Sequence, residues 1–108
     1  MLVGVPKEIK THEFRVGLVP SSVAELVRRG HEVLIEAQAG AGIGANDDEY
    51  MAVGATIAMS AADVFAKADM IVKVKEPQPS EWGQLSSNQI LFTYLHLAAD
   101  APQAHGLA

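Results

Sequence analysis

The stretch of sequence that decides the fold is DMIVKVKEP, residues 69–77. Its first half is apolar and rich in β-branched residues, which is typical of a strand buried in a parallel sheet. Lys73 and Lys75 stand two residues apart, so an extended chain points both side chains to the same side of the sheet. Pro77 ends the strand, because proline has no N–H to donate to a neighbouring strand. The stretch therefore predicts a buried strand with lysines at its carboxyl end.

A second stretch of the same kind follows, QILFTYLH at residues 89–96. It is apolar and β-prone, and it also ends in an ionisable residue, His96. In open α/β sheets, ligands bind beyond the carboxyl ends of the strands. A lysine and a histidine brought to that edge by two successive strands predict a site for an anion or a carbonyl group.

The first third of the chain has the order of a βαβ unit. Residues 2–5 form a short apolar strand that Pro6 ends, and residues 31–37 form a second strand. Between them, the apolar spacing after Pro20 predicts an amphipathic helix that Gly30 caps at its C-terminus.

The rest of the chain continues the alternation of helices and strands. We expect a helix over residues 47–53, a strand over 55–58, a helix over 61–68 capped by Ser60, and one helical turn ending near Leu85. This order predicts an α/β fold, a three-layer sandwich around a mainly parallel sheet.

Composition indicates one globular domain. The 108 residues are 49% hydrophobic and 19% charged, and the net charge of −5 argues against a nucleic-acid partner. The absence of cysteine excludes disulfides, thiolate metal sites and a cysteine nucleophile. No apolar run approaches the roughly 18 residues of a membrane span. Because the start of the chain lacks a signal peptide, we expect a cytoplasmic protein without a membrane partner.

Residues 40–45, GAGIGA, match the letters of the G-x-G-x-x-G/A dinucleotide fingerprint. That fingerprint requires a helix that opens inside the motif, with its N-terminus at the pyrophosphate. Here Asn46 and three acidic residues, 47–49, follow directly, and carboxylates repel a phosphate. The motif also comes after the second strand rather than the first. We therefore expect a connecting loop and assign no cofactor-binding residue.

Lys75 is the strongest candidate for a functional lysine. The alternative is a solvated strand end, since charged side chains are mostly exposed. Its position at the ligand-binding edge and its pairing with Lys73 favour a function, although one of the two lysines would suffice. Glu76 could hold either lysine in place or be ordinary surface.

His96 and Arg15 each have two interpretations that the sequence leaves equal. His96 is either a partly buried histidine bonded to a backbone carbonyl or a general acid/base, for which its reference pKa of about 6.5 is suitable. Arg15, just after the first strand, either takes a carboxylate in a bidentate pair or forms a salt bridge to Glu8 or Glu13.

No set of metal ligands stands out in the sequence. His12, His31 and His105 have no ligand-like spacing with one another or with His96, and no cysteine is present to complete a set. We therefore expect no metal site.

Five motifs occur in order along nearly the whole chain. They are GVPKE at residues 4–8, EFRV at 13–16 with Pro20, RGHEV at 29–33, KVKEP at 73–77 and LFTYLHLA at 91–98. Together these motifs resemble the alanine dehydrogenase family. The match is to the N-terminal part of its substrate (catalytic) domain, so residues 1–108 are expected to be that part.

The resemblance implies a flavodoxin-like or Rossmann-like fold and a separate domain, absent from this chain, that binds NAD. The implied reaction is the reversible oxidative deamination of L-alanine to pyruvate and ammonium. Arg15 matches the arginine that holds the substrate carboxylate, and Lys75 matches the lysine that contacts the substrate and polarises its carbonyl. His96 matches the catalytic acid/base. A homo-oligomer, a hexamer for the full-length enzyme, is also implied.

A related family, the nicotinamide nucleotide transhydrogenase, has an NAD-binding subunit that begins with a similar domain. It does not carry the KEP and LHL pairings found here at residues 75–77 and 95–97, so alanine dehydrogenase is favoured. In the alanine dehydrogenase family the chain continues well past the position of Ala108 into the NAD domain. We therefore expect this chain alone not to oxidise alanine. The alternative from another class is a stand-alone binding or interaction module without catalysis.

Overall fold

A computed structural model describes residues 1–9, 15–75, 78–85 and 88–93 of the chain. Strands and helices alternate along these residues, and a short 3-10 turn, Ala41–Ile43, precedes the second helix. The elements are β1 (Leu2–Val5), α1 (Pro20–Arg28), β2 (Glu32–Glu36), α2 (Asp47–Ala52), β3 (Thr56–Ala58), α3 (Ala61–Lys67), β4 (Met70–Lys73), α4 (Pro79–Trp82) and β5 (Ile90–Thr93).

The strands of the described residues form one five-stranded parallel sheet in the order β3-β2-β1-β4-β5. β1 lies between β2 and β4, so that Val3 pairs with Val33 on one side and with Met70 on the other. The chain runs outward from β1 to β3 and then returns to β4, so the strand order reverses between β1 and β4. Such a reversal leaves a crevice outside the carboxyl ends of the two strands, where ligands of open α/β sheets bind.

Helices pack on both faces of the sheet, which confirms the predicted three-layer α/β sandwich. Consecutive residues of β2 enter opposite layers, and a strand apolar on both faces is typical of a covered parallel sheet. The layer with α1 and α2 contains Val3, Val5, Val23, Val33, Ile35, Tyr50 and Val72. The layer with α3 contains Leu34, Ala58, Val64, Phe65, Ala68 and Ile71.

α1 begins at Pro20 and ends with the left-handed glycine that the sequence predicts. Proline suits the first turn because the N–H groups there have no partner within the helix. Gly30 has a φ of 93°. The N–H groups of Gly30 and His31 donate to the carbonyl oxygens of Val27 at 3.0 Å and Leu26 at 3.1 Å. These two bonds form a Schellman motif, which confirms the predicted C-cap.

Side chains cap the next two helices. Asn46 accepts a hydrogen bond from the Glu49 N–H at 2.9 Å, and the Glu49 carboxylate accepts one from the Asn46 N–H at 3.2 Å, which is a capping box. The hydroxyl oxygen of Ser60 accepts a bond from the Asp63 N–H at 3.3 Å, as predicted. Both helices end one residue earlier than the sequence predicts.

β4 ends four residues before Pro77, where the sequence predicts that the strand ends. Within the part of the chain that the structure describes, its ladder with β5 reaches the pair Lys73–Thr93. The N–H groups of the next two residues, 74 and 75, donate to the Glu8 carboxylate rather than to a strand. Lys75 therefore stands in the segment after β4 and not within it. The last residues of the predicted strand 89–96 lie outside the described residues.

Candidate functional site

Two of the three predicted site residues, Arg15 and Lys75, lie in the described part of the chain. They belong to the segments that follow β1 and β4, the two strands on either side of the strand-order reversal. Arg15 is exposed and Lys75 is half-buried, so both cations reach the solvent. His96 lies outside the described residues, and its role stays a prediction.

Close packing brings the Arg15 segment against the end of β4. Two residues after Arg15, the backbone of Gly17 approaches β4 so closely that an added Cβ would stand 2.4 Å from the carbonyl oxygen of Val72. A glycine is needed for such an approach because it has no side chain. Val16, between them, is buried in the core cluster that contains Val72. Since Val72 is three residues before Lys75, this packing brings the backbone segments of Arg15 and Lys75 to the same end of β4.

Tyr50 of α2 anchors the backbone that follows Arg15. Its side chain is fully buried, and its hydroxyl donates a 2.8 Å hydrogen bond to the carbonyl oxygen of Leu18. Burial, with smaller contributions from the charges of Glu49 and Asp47, raises the pKa of Tyr50 to about 12. The hydroxyl therefore keeps its proton at neutral pH and continues to anchor the backbone three residues after Arg15.

The two lysines of the stretch 73–75 have different surroundings. Lys73 is completely buried, and its Nζ lies 3.3 Å from Oε1 of Glu8 and 3.3 Å from Oε2 of Glu81. A buried ammonium between two buried carboxylates is an ion network that becomes very costly if one partner is removed. Lys73 is therefore committed to the interior, and Lys75 is the lysine of this stretch that the crevice can offer to a ligand.

The Glu8 carboxylate also holds the backbone on which Lys75 stands. Its Oε2 accepts a hydrogen bond from the Val74 N–H at 3.1 Å, and its Oε1 accepts one from the Lys75 N–H at 3.3 Å. Both oxygens of Glu8, a possible salt-bridge partner of Arg15, are thus engaged at the end of β4. The other possible partner, Glu13, lies outside the described residues, as does Glu76.

Sequence reasoning missed the network of Glu8, Lys73 and Glu81. One signal was available, because a lysine within a β-branched apolar run needs a countercharge when the strand is buried. The local sequence also predicts a role for Glu81 at the N-terminus of a helix. Glu81 stands three residues after Gln78, and its Oε1 accepts the Gln78 N–H at 2.9 Å at the start of α4. Glu8 carried no such signal, because 65 residues separate it from Lys73.

The glycine segment at residues 40–45 does not fit the phosphates of NAD. The 3-10 turn within it ends at Gly44, which has a φ of 79°. The N-terminus of α2 that follows is occupied by its capping box, and residues 47–49 place three carboxylates in the first turn, where they oppose an anion. Gly40 instead packs on the buried tyrosine, because an added Cβ there would lie 2.7 Å from the ring of Tyr50. The segment connects β2 to α2.

A cavity of about 330 Å³ lies on the α1 face of the sheet. Its lining is mainly apolar and includes Met1, Leu26, Met70 and Phe92, together with His31. Within the described residues, Nδ1 of His31 is buried without a hydrogen-bond partner. The lining also includes Leu18 and Val72, so the cavity extends to the residues that hold the Arg15 segment against β4.

Neither a metal site nor a membrane span is found where the structure is described. No group of three or more His, Cys, Asp or Glu residues in that part of the chain could hold a metal ion. None of the helices there has the length and apolar character needed to cross a membrane.

The fold and this edge define a class of protein, a Rossmann-like α/β domain that presents an arginine and a lysine beside the β1–β4 reversal. A family model described as "Alanine dehydrogenase/PNT, N-terminal domain" matches residues 4–108. The chain belongs to this family, and the resemblance drawn from the five sequence motifs is confirmed.

Individual relatives agree with this assignment. An alanine dehydrogenase from Halomonas elongata is 50% identical over 107 residues, which are 99% of this chain and 29% of that protein. A solved L-alanine dehydrogenase shares 53% identity with a TM-score of 0.90, over 99% of this chain and 29% of the other. A transhydrogenase from Sinorhizobium meliloti shares 30% identity with a TM-score of 0.87, over 99% of this chain and 32% of the other. The chain thus spans less than a third of the length of each of these proteins.

Proposed function

We propose that this chain is the N-terminal part of the substrate domain of an NAD-dependent L-alanine dehydrogenase. Such an enzyme converts L-alanine, NAD and water reversibly to pyruvate, ammonium and NADH. The observation that supports the proposal is the close packing of the Arg15 segment on the end of β4, next to the Lys75 segment, with Lys73 withdrawn into a buried ion network. The identity of 53% to a solved alanine dehydrogenase, against 30% to a transhydrogenase, supports this activity.

In this proposal the two cations bind and orient the substrate. The Arg15 guanidinium is planar and forked, so it takes the substrate carboxylate with two parallel hydrogen bonds. The Lys75 ammonium faces the oxygen of the keto acid and stabilises the negative charge that develops there. Two contacts fix the orientation of the bound substrate, and such positioning lowers the activation barrier of the reaction.

His96 moves the protons in this proposal. When water adds to the carbon of the protonated imine, His96 accepts a proton from that water and then donates it to the nitrogen of the carbinolamine. As the carbon–nitrogen bond breaks and ammonia leaves, His96 accepts the hydroxyl proton, so that the carbonyl of pyruvate forms, and this proton ends on the ammonia as ammonium. A group with a pKa near neutrality suits both steps, because it is present in both protonation states.

NAD would supply the acceptor for the hydride of alanine, and the glycine segment at residues 40–45 does not fit its phosphates. We therefore place the NAD-binding domain in polypeptide outside this chain and expect the chain alone not to oxidise alanine. The same proposal includes a homo-oligomer, which is a hexamer for the full-length enzyme. It also includes a cytoplasmic location and no nucleic-acid or membrane partner.

A chimera tests the activity. This chain replaces the matching 107 residues of the Halomonas elongata alanine dehydrogenase, which are 50% identical to it. We expect NAD-dependent alanine oxidation, and we expect Lys75→Ala to lower kcat/KM on the order of 100-fold or more, as for the loss of a charge-stabilising group. Lys67→Ala, at an exposed lysine in the last turn of α3, is the matched control and should retain activity.

The second candidate function is that of a transhydrogenase subunit, and the similarity to the Sinorhizobium meliloti protein supports it. It predicts a chimera that folds and binds NADH but does not turn over alanine. That outcome, or a Lys75→Ala chimera as active as Lys67→Ala, would contradict the proposed function.

A further inference from the structure

We propose that Glu8 is a positioning residue for Lys75, an inference that rests on the substrate-binding role proposed for that lysine. Glu8 comes from the segment after β1, whereas Lys75 comes from the segment after β4. These are the two segments between which the crevice opens. The carboxylate acts through the backbone of residues 74 and 75 and does not touch the substrate.

The contacts of Glu8 are those of a backbone clamp. Its side chain is only 2% exposed, and its two oxygens take three donors: the N–H of Val74 at 3.1 Å, the N–H of Lys75 at 3.3 Å and Nζ of Lys73 at 3.3 Å. Within the described residues the β4–β5 ladder reaches the Lys73–Thr93 pair, and the N–H groups of the two residues after Lys73 donate to Glu8. Glu8 supplies the acceptors that they need, since buried N–H groups are rarely left unpaired.

Lys73 explains how a carboxylate can stand so near a site for an anion. An uncompensated negative charge beside the crevice would repel a substrate carboxylate. The Lys73 ammonium lies against Glu8 and so reduces that repulsion, while Glu81 binds the same ammonium from the α4 side. Two carboxylates and one ammonium leave the network with one negative charge, which the two cations Arg15 and Lys75 outnumber.

The network also holds the other side of the Lys75 segment. Glu81 accepts the N–H of Gln78 at 2.9 Å and contacts Lys73 through its second oxygen. Lys75 thus stands between two anchored points, the Glu8 clamp at residues 74–75 and the start of α4 at residue 78. A long lysine side chain has considerable rotamer freedom, so a fixed backbone is the main means of directing its ammonium.

The test compares Glu8→Gln with Glu81→Gln in the 15N-labelled 108-residue chain. Each variant removes one carboxylate from the network, but only Glu8 contacts the backbone of residues 74 and 75. We expect amide exchange at these two positions to speed up about tenfold or more in Glu8→Gln, as for a lost hydrogen bond. In Glu8→Gln the increase at residues 74 and 75 should exceed that in β1 and β2, whereas in Glu81→Gln, which keeps both hydrogen bonds of these residues, it should not. Unchanged exchange at residues 74 and 75 of a folded Glu8→Gln variant would overturn the inference.

Pyruvate binding supplies the functional readout. We expect Glu8→Gln to raise the pyruvate Kd about tenfold in the chain with Lys75 and to have no further effect in Lys75→Ala, because residues that act through one another are not additive. An equal effect in both backgrounds would overturn the positioning role. If the unchanged chain does not bind pyruvate, the proposal that the isolated chain binds substrate is wrong. Amide exchange at residues 74 and 75 then still tests whether Glu8 holds this backbone. If Glu8→Gln does not fold, Glu8→Asp replaces it, because the shorter side chain keeps the charge but cannot span the same donors.

Discussion

The Nζ atom of Lys73 lies 3.3 Å from Oε1 of Glu8, and the two side chains are 1% and 2% exposed. This pair joins residues 65 positions apart, at the point where the segment after β1 meets the end of β4. A second carboxylate, from Glu81, lies 3.3 Å from the same ammonium. The network therefore contributes to the stability of the domain and also to the order of its candidate site.

We expect Lys73→Met to destabilise the chain by roughly 3–5 kcal/mol, because it leaves two buried carboxylates without their cation. Methionine keeps much of the side-chain length, so the loss reports the charge more than the packing. The free energy of unfolding in urea measures it. Lys67→Met, at an exposed lysine, is the control and should change that free energy by no more than about 0.5 kcal/mol. Equal stabilities of the two variants would contradict a buried network.

Gly17→Ala should disturb the segment that carries Arg15. The new Cβ would meet the carbonyl oxygen of Val72 at 2.4 Å, so the backbone must move, at a cost of about 1–3 kcal/mol. Gly83→Ala is the matched control, since nothing lies within 4 Å of its added Cβ and its φ of −70° suits alanine. Urea unfolding compares the two variants. A Gly17→Ala chain as stable as Gly83→Ala would show that the close approach does not exist in solution.

Stability should fall between about pH 10 and pH 12 because of Tyr50. The pKa of its hydroxyl rises from 10.0, the ordinary value for tyrosine, to about 12 in the folded chain. Across this window the unfolded chain loses the Tyr50 proton while the folded chain keeps it, so ionisation favours the unfolded state as pH rises. Below pH 10 both states keep the proton, and the full contribution is present.

The measurement for Tyr50 is urea unfolding at several pH values between about 9 and 12, compared with Tyr50→Phe. The variant loses the hydrogen bond to Leu18, about 1 kcal/mol, at every pH below this window. The difference between the two chains should therefore shrink or reverse as the pH approaches the upper end of the window. A difference that stays constant across the window would refute the raised pKa.

Much of the fold was predictable because its signals are local. Pro20 and Gly30 mark the ends of α1, Asn46 and Ser60 cap the next two helices, and runs of β-branched residues mark the strands. A parallel sheet follows from the alternation of strands and helices. The order of the strands does not follow from local signals, since it depends on how the chain returns from β3 to β4.

The candidate site was only partly predictable, for the same reason. Lys73 and Lys75 stand two residues apart in one strand-like stretch, and an extended chain points both to the same side. The sequence therefore could not say which of the two lysines is buried. That choice depends on Glu8, which reaches β4 only after the sheet has formed. The strand end was misjudged for this reason too, because the donors that leave the ladder are taken by a distant carboxylate rather than by a local turn.

A titration of pyruvate into the 15N-labelled chain, followed by amide shifts, tests whether Arg15 and Lys75 form a preset binding edge. If they do, saturable shifts should appear in the segments around residues 15–18 and 73–75. These shifts should be lost in Lys75→Ala and kept in Lys67→Ala. A folded chain that shows no saturable shifts, or shows the same shifts in Lys75→Ala, would contradict a preset edge.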